Sequence, residues 1–454
     1  MRGKAILHVF ALCAALFTVA GATAPDTIVR PPKFDYTMKT LPNGLQVVLL
    51  EDHSTPIVHL AVWYHVGSKD ERPGRTGFAH LFEHLMFKGS KNVRPDQHPS
   101  WITSIGGESN AETDEDATIY WETVPAQHLP LALWLEADRM ATLDVSEDKF
   151  RTEIEVVKEE RRMRVENPPF GLLPEIIFDK AFTTHPYKHQ TIGSMKDLES
   201  ASIRDVRDFH DTYYVPNNAT AVLVGDFDTA EASALVEKYL GRVPRGKDVP
   251  RNIPAEPMHT AESRVAVTAP WPLPAVVVSY HITYDGHPDA YPLHILAKIL
   301  NDGDSSRLYR SLVYQKQEAL AAFGEAKLIE HPNLFYAVAI VQNGHQPATV
   351  LRDLQTEIDR VKSDGVTAEE LNRAKRQFAR DYILGRDTVR QKALHLGHAV
   401  VIHNDIRTAD QEFDLFQNVT LDDVQRVART YFTPESRMLL TIMPSGAPAP
   451  GDGR

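Results

Sequence analysis

The first part of the chain alternates short apolar runs with turn residues, which predicts β-strands joined by tight turns. Residues 37–40 and 45–50 flank Leu41-Pro42-Asn43-Gly44, and Asn-Gly between two such runs is a strong hairpin signal. Residues 57–66 and 117–124 predict two further strands. This half of the chain therefore contains a sheet with at least one hairpin.

Residues 104–113 predict an exposed edge of that sheet, because two glycines precede a polar, alternating run that includes Asn110 and Ala111. An unpaired edge strand is a place where an extended peptide can add itself to a sheet. An ordinary edge or turn explains the same residues equally well.

Residues 78–87 have helical spacing, since their apolar side chains recur three and four residues apart, and Lys88-Gly89 supplies a basic last turn and a glycine stop. His80 and His84 lie four apart and so share one face, with Glu83 beside it. This H-x-x-E-H pattern is the inverted form of the zinc-protease helix, in which the imidazoles bind zinc and the Glu acts as general base. The alternative to zinc binding is that His80 and His84 are core histidines that hydrogen-bond to the backbone.

A catalytic zinc takes a third protein ligand and keeps its fourth position for water. Residues 129–140 predict one helix, and a second starts at the cap Ser146 and ends before Asn167. This second helix carries Glu153 and Glu160, which are seven residues apart and therefore on one face. Because the helix is rich in Glu and Arg, each acid on it is by default a solvated charge.

The second half of the sequence repeats the first. At a constant offset of 218, Asp205-Val206 and Thr212-Tyr213-Tyr214 recur as Asp423-Val424 and Thr430-Tyr431-Phe432. Two copies of one fold are the economical explanation. The copy of the motif helix, near residues 293–300, has no paired ligands. The predicted organisation is an N-terminal zinc-binding domain (31–243), a Pro-rich linker (244–257), a C-terminal domain without a metal site (258–444) and a disordered tail (445–454).

One competing histidine cluster consists of His395, His398 and His403. His395 and His398 are three residues apart on a helical stretch, but no carboxylate is suitably placed beside them in the sequence. The sequence therefore favours helix packing over metal binding at this cluster.

Residues 1–22 resemble a secretory signal, with Arg2 and Lys4 before an apolar run and Ala20-Gly21-Ala22 as a cleavage site. We expect an exported protein, periplasmic or secreted, without a membrane span. Cys13, the single cysteine, would leave with the signal, so neither disulfides nor a cysteine nucleophile are expected. The net charge of −12, or −14 after cleavage, argues against nucleic acid or anionic lipid as a partner.

Several blocks in order along the chain resemble the pitrilysin/insulinase family of inverted-motif zinc peptidases. The similarity is to its half-length members, such as the mitochondrial processing peptidase β subunit and bacterial periplasmic homologues. The blocks are Gly67-Ser68 with Glu71; residues 77–89; Gly106-Gly107 with Asn110, Ala111 and Thr113; residues 153–160; His185-Pro186-Tyr187 with Gly193; and Tyr214, Pro216 and Asn217 through Gly225-Asp226.

The resemblance implies an α+β fold of two homologous α/β rolls, each a mostly antiparallel sheet covered by helices. It implies Zn²⁺ held by His80, His84 and Glu160, with Glu83 as catalytic base and Glu153 supporting the site. It also implies that Asn110 and Ala111 lie on the edge that holds an extended peptide. Two chains would enclose a chamber in which unfolded peptides are cleaved.

The chain departs from the family pattern at two positions. Active members carry an Arg and a Tyr in the second-half or partner domain, whereas Val313 and Ala322 align there. The spacing of Arg307 and Tyr314 suggests the Arg and Tyr of active members, but Arg307 matches a different position of the family. We therefore expect a heterodimer whose homologous partner supplies both residues, with a homodimer as the other possibility. A non-catalytic peptide-binding or assembly subunit is the alternative function.

Overall fold

Two β-sheets, each covered by helices, make up the part of the chain that the computed structural model describes, residues 29–445. The predicted signal (1–22) and all but the first residue of the predicted tail (445–454) lie outside the described residues. Among the described residues, those from Pro32 onward belong to one compact unit. Within the described range, no helix combines the length and the apolar character that a membrane span needs.

The strands are Tyr36–Thr40 (β1), Gln46–Glu51 (β2), Ile57–Tyr64 (β3), Glu108–Thr113 (β4), Thr118–Pro125 (β5), Ala219–Gly225 (β6), Ser263–Ala269 (β7), Ala275–His281 (β8), Ala319–Ala326 (β9), Leu334–Val341 (β10) and Arg437–Pro444 (β11). The helices of the first half are Phe78–Leu85 (α1), Gln97–Ser104 (α2), Leu129–Thr142 (α3), Glu147–Arg161 (α4), Leu173–Ala181 (α5), Met195–Ser200 (α6), Ile203–Tyr213 (α7) and Thr229–Tyr239 (α8). Those of the second half are Ala290–Asn301 (α9), Pro347–Asp364 (α10), Ala368–Leu384 (α11), Val389–Val401 (α12), Thr408–Gln417 (α13) and Leu421–Tyr431 (α14).

The two sheets have the same topology, as the sequence repeat predicts. The first has the order β1-β2-β6-β3-β5-β4 and the second the order β7-β11-β8-β10-β9, so the second matches the first without β1. Each contains one parallel pair, β2 with β6 and β7 with β11, and is otherwise antiparallel. The repeated helices α7 and α14 each precede the strand that forms this parallel pair.

The predicted hairpin at the start of the first sheet is present. β1 and β2 pair antiparallel from Tyr36 with Leu50 to Thr40 with Gln46. Gly44 adopts a φ of 90°, which a residue with a side chain rarely adopts, and its N–H donates to Leu41. The turn chemistry thus sets the register of the first strand pair.

One helix of the second half covers the first sheet. α12 packs on β3 and β6, where Val389, Ala393 and Leu396 share an apolar cluster with residues of the first sheet. A Cβ on Gly397 would lie 2.2 Å from the Trp63 indole nitrogen, so only glycine allows this approach. The halves are therefore joined by a shared core, which the sequence repeat does not reveal.

The predicted linker contains no helix or strand and lies against the first half. The Glu256 carboxylate accepts backbone N–H bonds from Thr183, Thr184 and His185 at 2.8–2.9 Å. The Arg251 guanidinium donates to the His65 carbonyl at 2.7 Å. These contacts fix the segment in place, while its role as a domain boundary stays a prediction.

Candidate metal centre

The motif helix α1 starts at a buried carboxylate. Gly77, with a φ of 93°, precedes the helix, and the N–H groups of Gly77 and Ala79 donate to Glu71 at 2.9 and 2.8 Å. A negative charge at a helix N-terminus satisfies free N–H groups and suits the helix dipole. Phe78, Leu81 and other apolar residues of α1 are buried, so the helix is held firmly and its polar face is fixed in direction.

His80 and His84 project from the same face of α1, with ring centroids 4.9 Å apart. Glu160, near the end of α4, lies against both: its carboxylate oxygens are 3.7 Å from His80 Nε2 and 3.2 Å from His84 Nε2. Two ligands of a tetrahedral zinc, each about 2.0–2.1 Å from the ion, lie about 3.4 Å apart. The spacing and the donor set, two imidazole nitrogens and one carboxylate, fit a zinc ion.

Glu153, one of the two acids predicted to share a face of α4, lies behind His84. Its side chain is buried, and its carboxylate is 3.5 Å from His84 Nδ1 and 3.3 Å from the Lys88 ammonium. A carboxylate on Nδ1 keeps that nitrogen protonated and directs Nε2 towards Glu160, which is the usual support of a metal-binding histidine. Glu159, the adjacent residue, instead pairs with Arg162 at the surface.

The two histidines differ in protonation. Burial, followed by the charge of His84, lowers the pKa of His80 to about 4. Burial opposes the charged form of His84 too, but hydrogen bonds to Glu153 and Glu160 raise its pKa to about 9. The hydrogen bond from His84 in turn lowers the pKa of Glu160. Without metal, His84 is therefore protonated at neutral pH, and its Nε2 must lose a proton before it can bind an ion.

Glu83 faces a cleft of about 600 Å³ together with His80, His84 and Glu160. Burial raises the pKa of its carboxyl, an effect that Thr113 and the charge of His84 partly offset. A carboxylate whose pKa is raised towards neutrality suits a general base better than one at its ordinary value.

The predicted edge strand forms one wall of the same cleft. β4 pairs only with β5 among the described strands, so its other side is open, and Asn110 and Ala111 line the cleft. The structure thus brings together all seven residues predicted for the site, on α1, α4 and β4.

Three neighbours of the centre were not assigned a role from the sequence. Arg164 lies 2.5 Å from Glu160 Oε1 and is largely exposed at the rim of the cleft. Thr113 lies beside Glu83, and Glu71 accepts the N–H groups at the start of α1. Both residues belong to the sequence blocks that resemble the peptidase family, so the resemblance could have indicated them. Arg164 follows α4 in a π-helical turn, and no spacing rule predicts its direction.

In the second half, Arg307 is held in an ion pair, whereas Tyr314 is exposed. Arg307 donates two hydrogen bonds to Glu370, at 2.7 and 2.8 Å, in a half-buried ion pair. Tyr314 is 74% exposed in a π-helical segment, and Ala322 lies on β9. Arg307 is thus occupied by a structural contact, in keeping with its assignment to another family position.

The expectation that the second histidine cluster lacks a carboxylate is wrong. Asp285, more than a hundred residues earlier, places Oδ2 2.8 Å from His398 Nε2 and 3.0 Å from His403 Nε2. His395 is not part of this group, because its Nε2 contacts the Ala409 carbonyl at 3.0 Å. The cluster therefore consists of Asp285, His398 and His403, which the sequence separates too widely to connect.

Comparison with known proteins agrees with this architecture. Residues 46–194 match the family described as Insulinase (Peptidase family M16), and residues 200–378 match the Peptidase M16 inactive domain. The zinc protease PqqE of Helicobacter pylori is 30% identical over 452 residues, which cover 98% of this chain and 100% of that protein.

Solved structures share the fold. The crystal structure of a protease from Helicobacter pylori superposes with a TM-score of 0.87 at 30% identity, covering 90% of this chain and 100% of that one. The first half of the periplasmic protease PqqL from Escherichia coli gives a TM-score of 0.74 at 18% identity, covering 92% and 94%, and shows the fold alone. The predicted fold of two helix-covered sheets is confirmed, and the chain belongs to peptidase family M16, the pitrilysin/insulinase family of which half-length zinc proteases are members.

Proposed function

We propose that this protein is a zinc-dependent endopeptidase that hydrolyses unfolded peptides. The observation that carries the proposal is the position of Glu160, which faces both imidazoles of α1 at distances that suit ligands of one ion. His80, His84 and Glu160 would hold zinc, and Glu153 would position His84. Bound zinc polarises a scissile carbonyl and makes an attacking water more acidic.

Glu83 acts as the general base in this proposal. Its carboxylate faces the cleft next to the three ligands and takes a proton from the attacking water. The same carboxyl then delivers the proton to the leaving amine. The raised pKa of Glu83 supports both steps, because a group that titrates nearer to neutrality both accepts and releases a proton readily.

The substrate would bind as an extra strand on β4. An extended peptide can pair with the free edge beside Asn110 and Ala111, which would lay its backbone across the cleft next to Glu83. Backbone hydrogen bonds depend little on the side chains of the peptide. We therefore expect the enzyme to select unfolded segments rather than one particular side chain. A folded protein cannot present such a strand.

The active assembly would be a dimer that encloses a chamber, with this chain as the zinc-bearing subunit. A homologous partner would supply the Arg and Tyr that positions 313 and 322 lack, and the pairing of Arg307 with Glu370 supports this view. The predicted signal, together with the periplasmic designation of the Escherichia coli relative, supports an exported location, periplasmic or secreted. The match of residues 200–378 to a domain described as inactive favours one second candidate, a non-catalytic peptide-binding subunit.

Four variants test the proposed function. We expect Glu83→Gln to retain zinc and to lose peptide hydrolysis by at least a hundredfold, because only the proton acceptor is removed. Glu160→Gln should lose zinc from this centre, whereas Glu159→Gln, its exposed neighbour on α4, should keep both zinc and activity. His80→Ala should lose zinc as well. Full activity in Glu83→Gln would rule out the base assignment, and a wild type without zinc at this centre would favour the non-catalytic subunit.

The partner is tested separately. We expect the purified chain alone to cleave an unfolded peptide slowly, and the chain co-expressed with a homologue that carries the Arg and Tyr to cleave it at least tenfold faster. The native mass of the active species should correspond to two chains. Equal rates with and without any homologue would contradict the heterodimer.

A further inference from the structure

A second group of two histidines and one carboxylate lies where the two halves of the molecule meet. Asp285 follows β8 of the second sheet, whereas His398 lies on α12, the helix that packs on the first sheet. His403 follows α12, and Asn404 after it adopts a φ of 51°, which turns the chain sharply. The group thus joins a loop of the second half to a helix that covers the first.

The geometry of this group resembles that of the first centre. The rings of His398 and His403 have centroids 5.0 Å apart and planes at 77°, and the corresponding values for His80 and His84 are 4.9 Å and 72°. Both Nε2 atoms point at one carboxylate, as they do in the first centre. The donor set is the one that zinc and related divalent transition metals prefer.

The hydrogen bonds around His403 place its Nε2 against the Asp285 carboxylate. Thr408 donates its hydroxyl proton to the Asp405 carbonyl at 2.8 Å, so its oxygen accepts from His403 Nδ1 at 2.8 Å. A neutral His403 protonated on Nδ1 has its lone pair on Nε2. That nitrogen is 3.0 Å from Asp285 Oδ2, and no described residue makes a well-aligned hydrogen bond with it.

An imidazole nitrogen and a carboxylate oxygen at this distance need a proton or a metal cation between them. The His403 side chain is only 3% exposed, so water does not screen the contact, while His398 is 42% exposed and leaves one side open to solvent. The other oxygen of Asp285 accepts the Gly286 N–H at 2.9 Å, which holds the carboxylate towards the histidines. An open side gives an ion a path of entry and room for water ligands.

A third group, buried between α2, β5 and α3, already has a positive charge beside its carboxylates. His98, Glu122 and Glu136 lie close together, but the Arg139 guanidinium donates to Glu136 at 2.9 Å and already supplies the positive charge. The Asp285 group has no Arg or Lys paired with it among the described residues.

We propose that Asp285, His398 and His403 form a second binding site for a divalent transition metal, with zinc as the probe ion, that ties the loop after β8 to α12, the second-half helix that covers the first sheet. The ion would replace the direct contacts of the carboxylate with the imidazoles, which requires the ligand atoms to separate by about 0.5 Å to reach tetrahedral spacing. The role is structural, since the site ties α12 to the loop after β8.

The experiment counts zinc ions per chain in the full-length protein after dialysis against buffered zinc. We expect two in the wild type, one in His84→Ala, one in Asp285→Asn, and none when both substitutions are combined. Asp285→Asn keeps the shape of the side chain and an oxygen for the Gly286 N–H. His395→Gln is the matched control on α12, because its amide can still donate to Ala409, and it should keep two ions.

A second readout is thermal stability. Zinc should raise the melting temperature of His84→Ala and should not raise that of the double variant, because only a bound ion stabilises the folded state. If Asp285→Asn does not fold, His398→Gln replaces it. Equal zinc content in wild type and Asp285→Asn would overturn the proposal and identify the group as a hydrogen-bonded imidazolium–carboxylate cluster. Loss of all zinc in His84→Ala would overturn it too, whereas no loss in His84→Ala would contradict the first centre alone.

Discussion

Zinc binding at the first centre should become much stronger as pH rises from 6 to 8. His84 has a pKa of about 9, so over this range the proton on it must leave before the nitrogen can bind a metal. His80, with a pKa of about 4, and Glu160, with a lowered pKa, are already deprotonated. Zinc binding at pH 6–8 should therefore release one proton per ion.

The magnitude follows from this proton count. Each pH unit below the pKa of His84 weakens the apparent affinity about tenfold, so two units correspond to about 100-fold, or about 2.7 kcal/mol. Below pH 4, His80 also takes up a proton, so the logarithm of the apparent zinc affinity should fall twice as steeply with pH. The zinc affinity is best measured in the Asp285→Asn variant, because this substitution confines zinc to the first centre.

The assay is titration calorimetry in two buffers of different ionisation enthalpy, which counts released protons, together with competition against a chelator whose own pH dependence is known. Glu153→Gln is the matched variant. It removes the carboxylate whose hydrogen bond contributes most to raising the pKa of His84, so it should release less than one proton at pH 7.5 and show a shallower pH dependence. An affinity that stays constant between pH 6 and 8 would refute the reasoning.

Two further predictions concern packing and buried charge. Gly397→Ala should destabilise the protein by about 1–3 kcal/mol in urea unfolding, because its Cβ would lie 2.2 Å from the Trp63 indole nitrogen, whereas Gly241→Ala, whose nearest contact is at 3.7 Å, should have an effect below about 0.5 kcal/mol. Lys69→Met should cost about 3 kcal/mol in the same measurement without changing zinc content, because Lys69 is 1% exposed and its ammonium is 3.0 Å from Asp116. A cost below 1 kcal/mol would show that the remaining partners of Asp116 suffice.

Local patterns in the sequence determined much of the fold. The Asn43-Gly44 hairpin, the motif helix and the repeat at an offset of 218 all depend on residues close together in the chain or on direct comparison of two segments. Periodicity also identified the faces that carry His80 with His84, and Glu153 with Glu160. Spacing on one element is a matter of backbone geometry, so the sequence suffices for it.

Only the tertiary structure decided which elements meet. Periodicity shows that a face is polar but not which partner it finds, so assigning Glu160 as the ligand among the acids of α4 needed the resemblance and then the packing of α4 on α1. The same limit explains why Asp285 was missed, since it lies 113 residues before His398 in the chain and meets it only through tertiary packing. Long-range contacts are set by how whole apolar faces pack together, and that packing is not encoded in the spacing of any single segment.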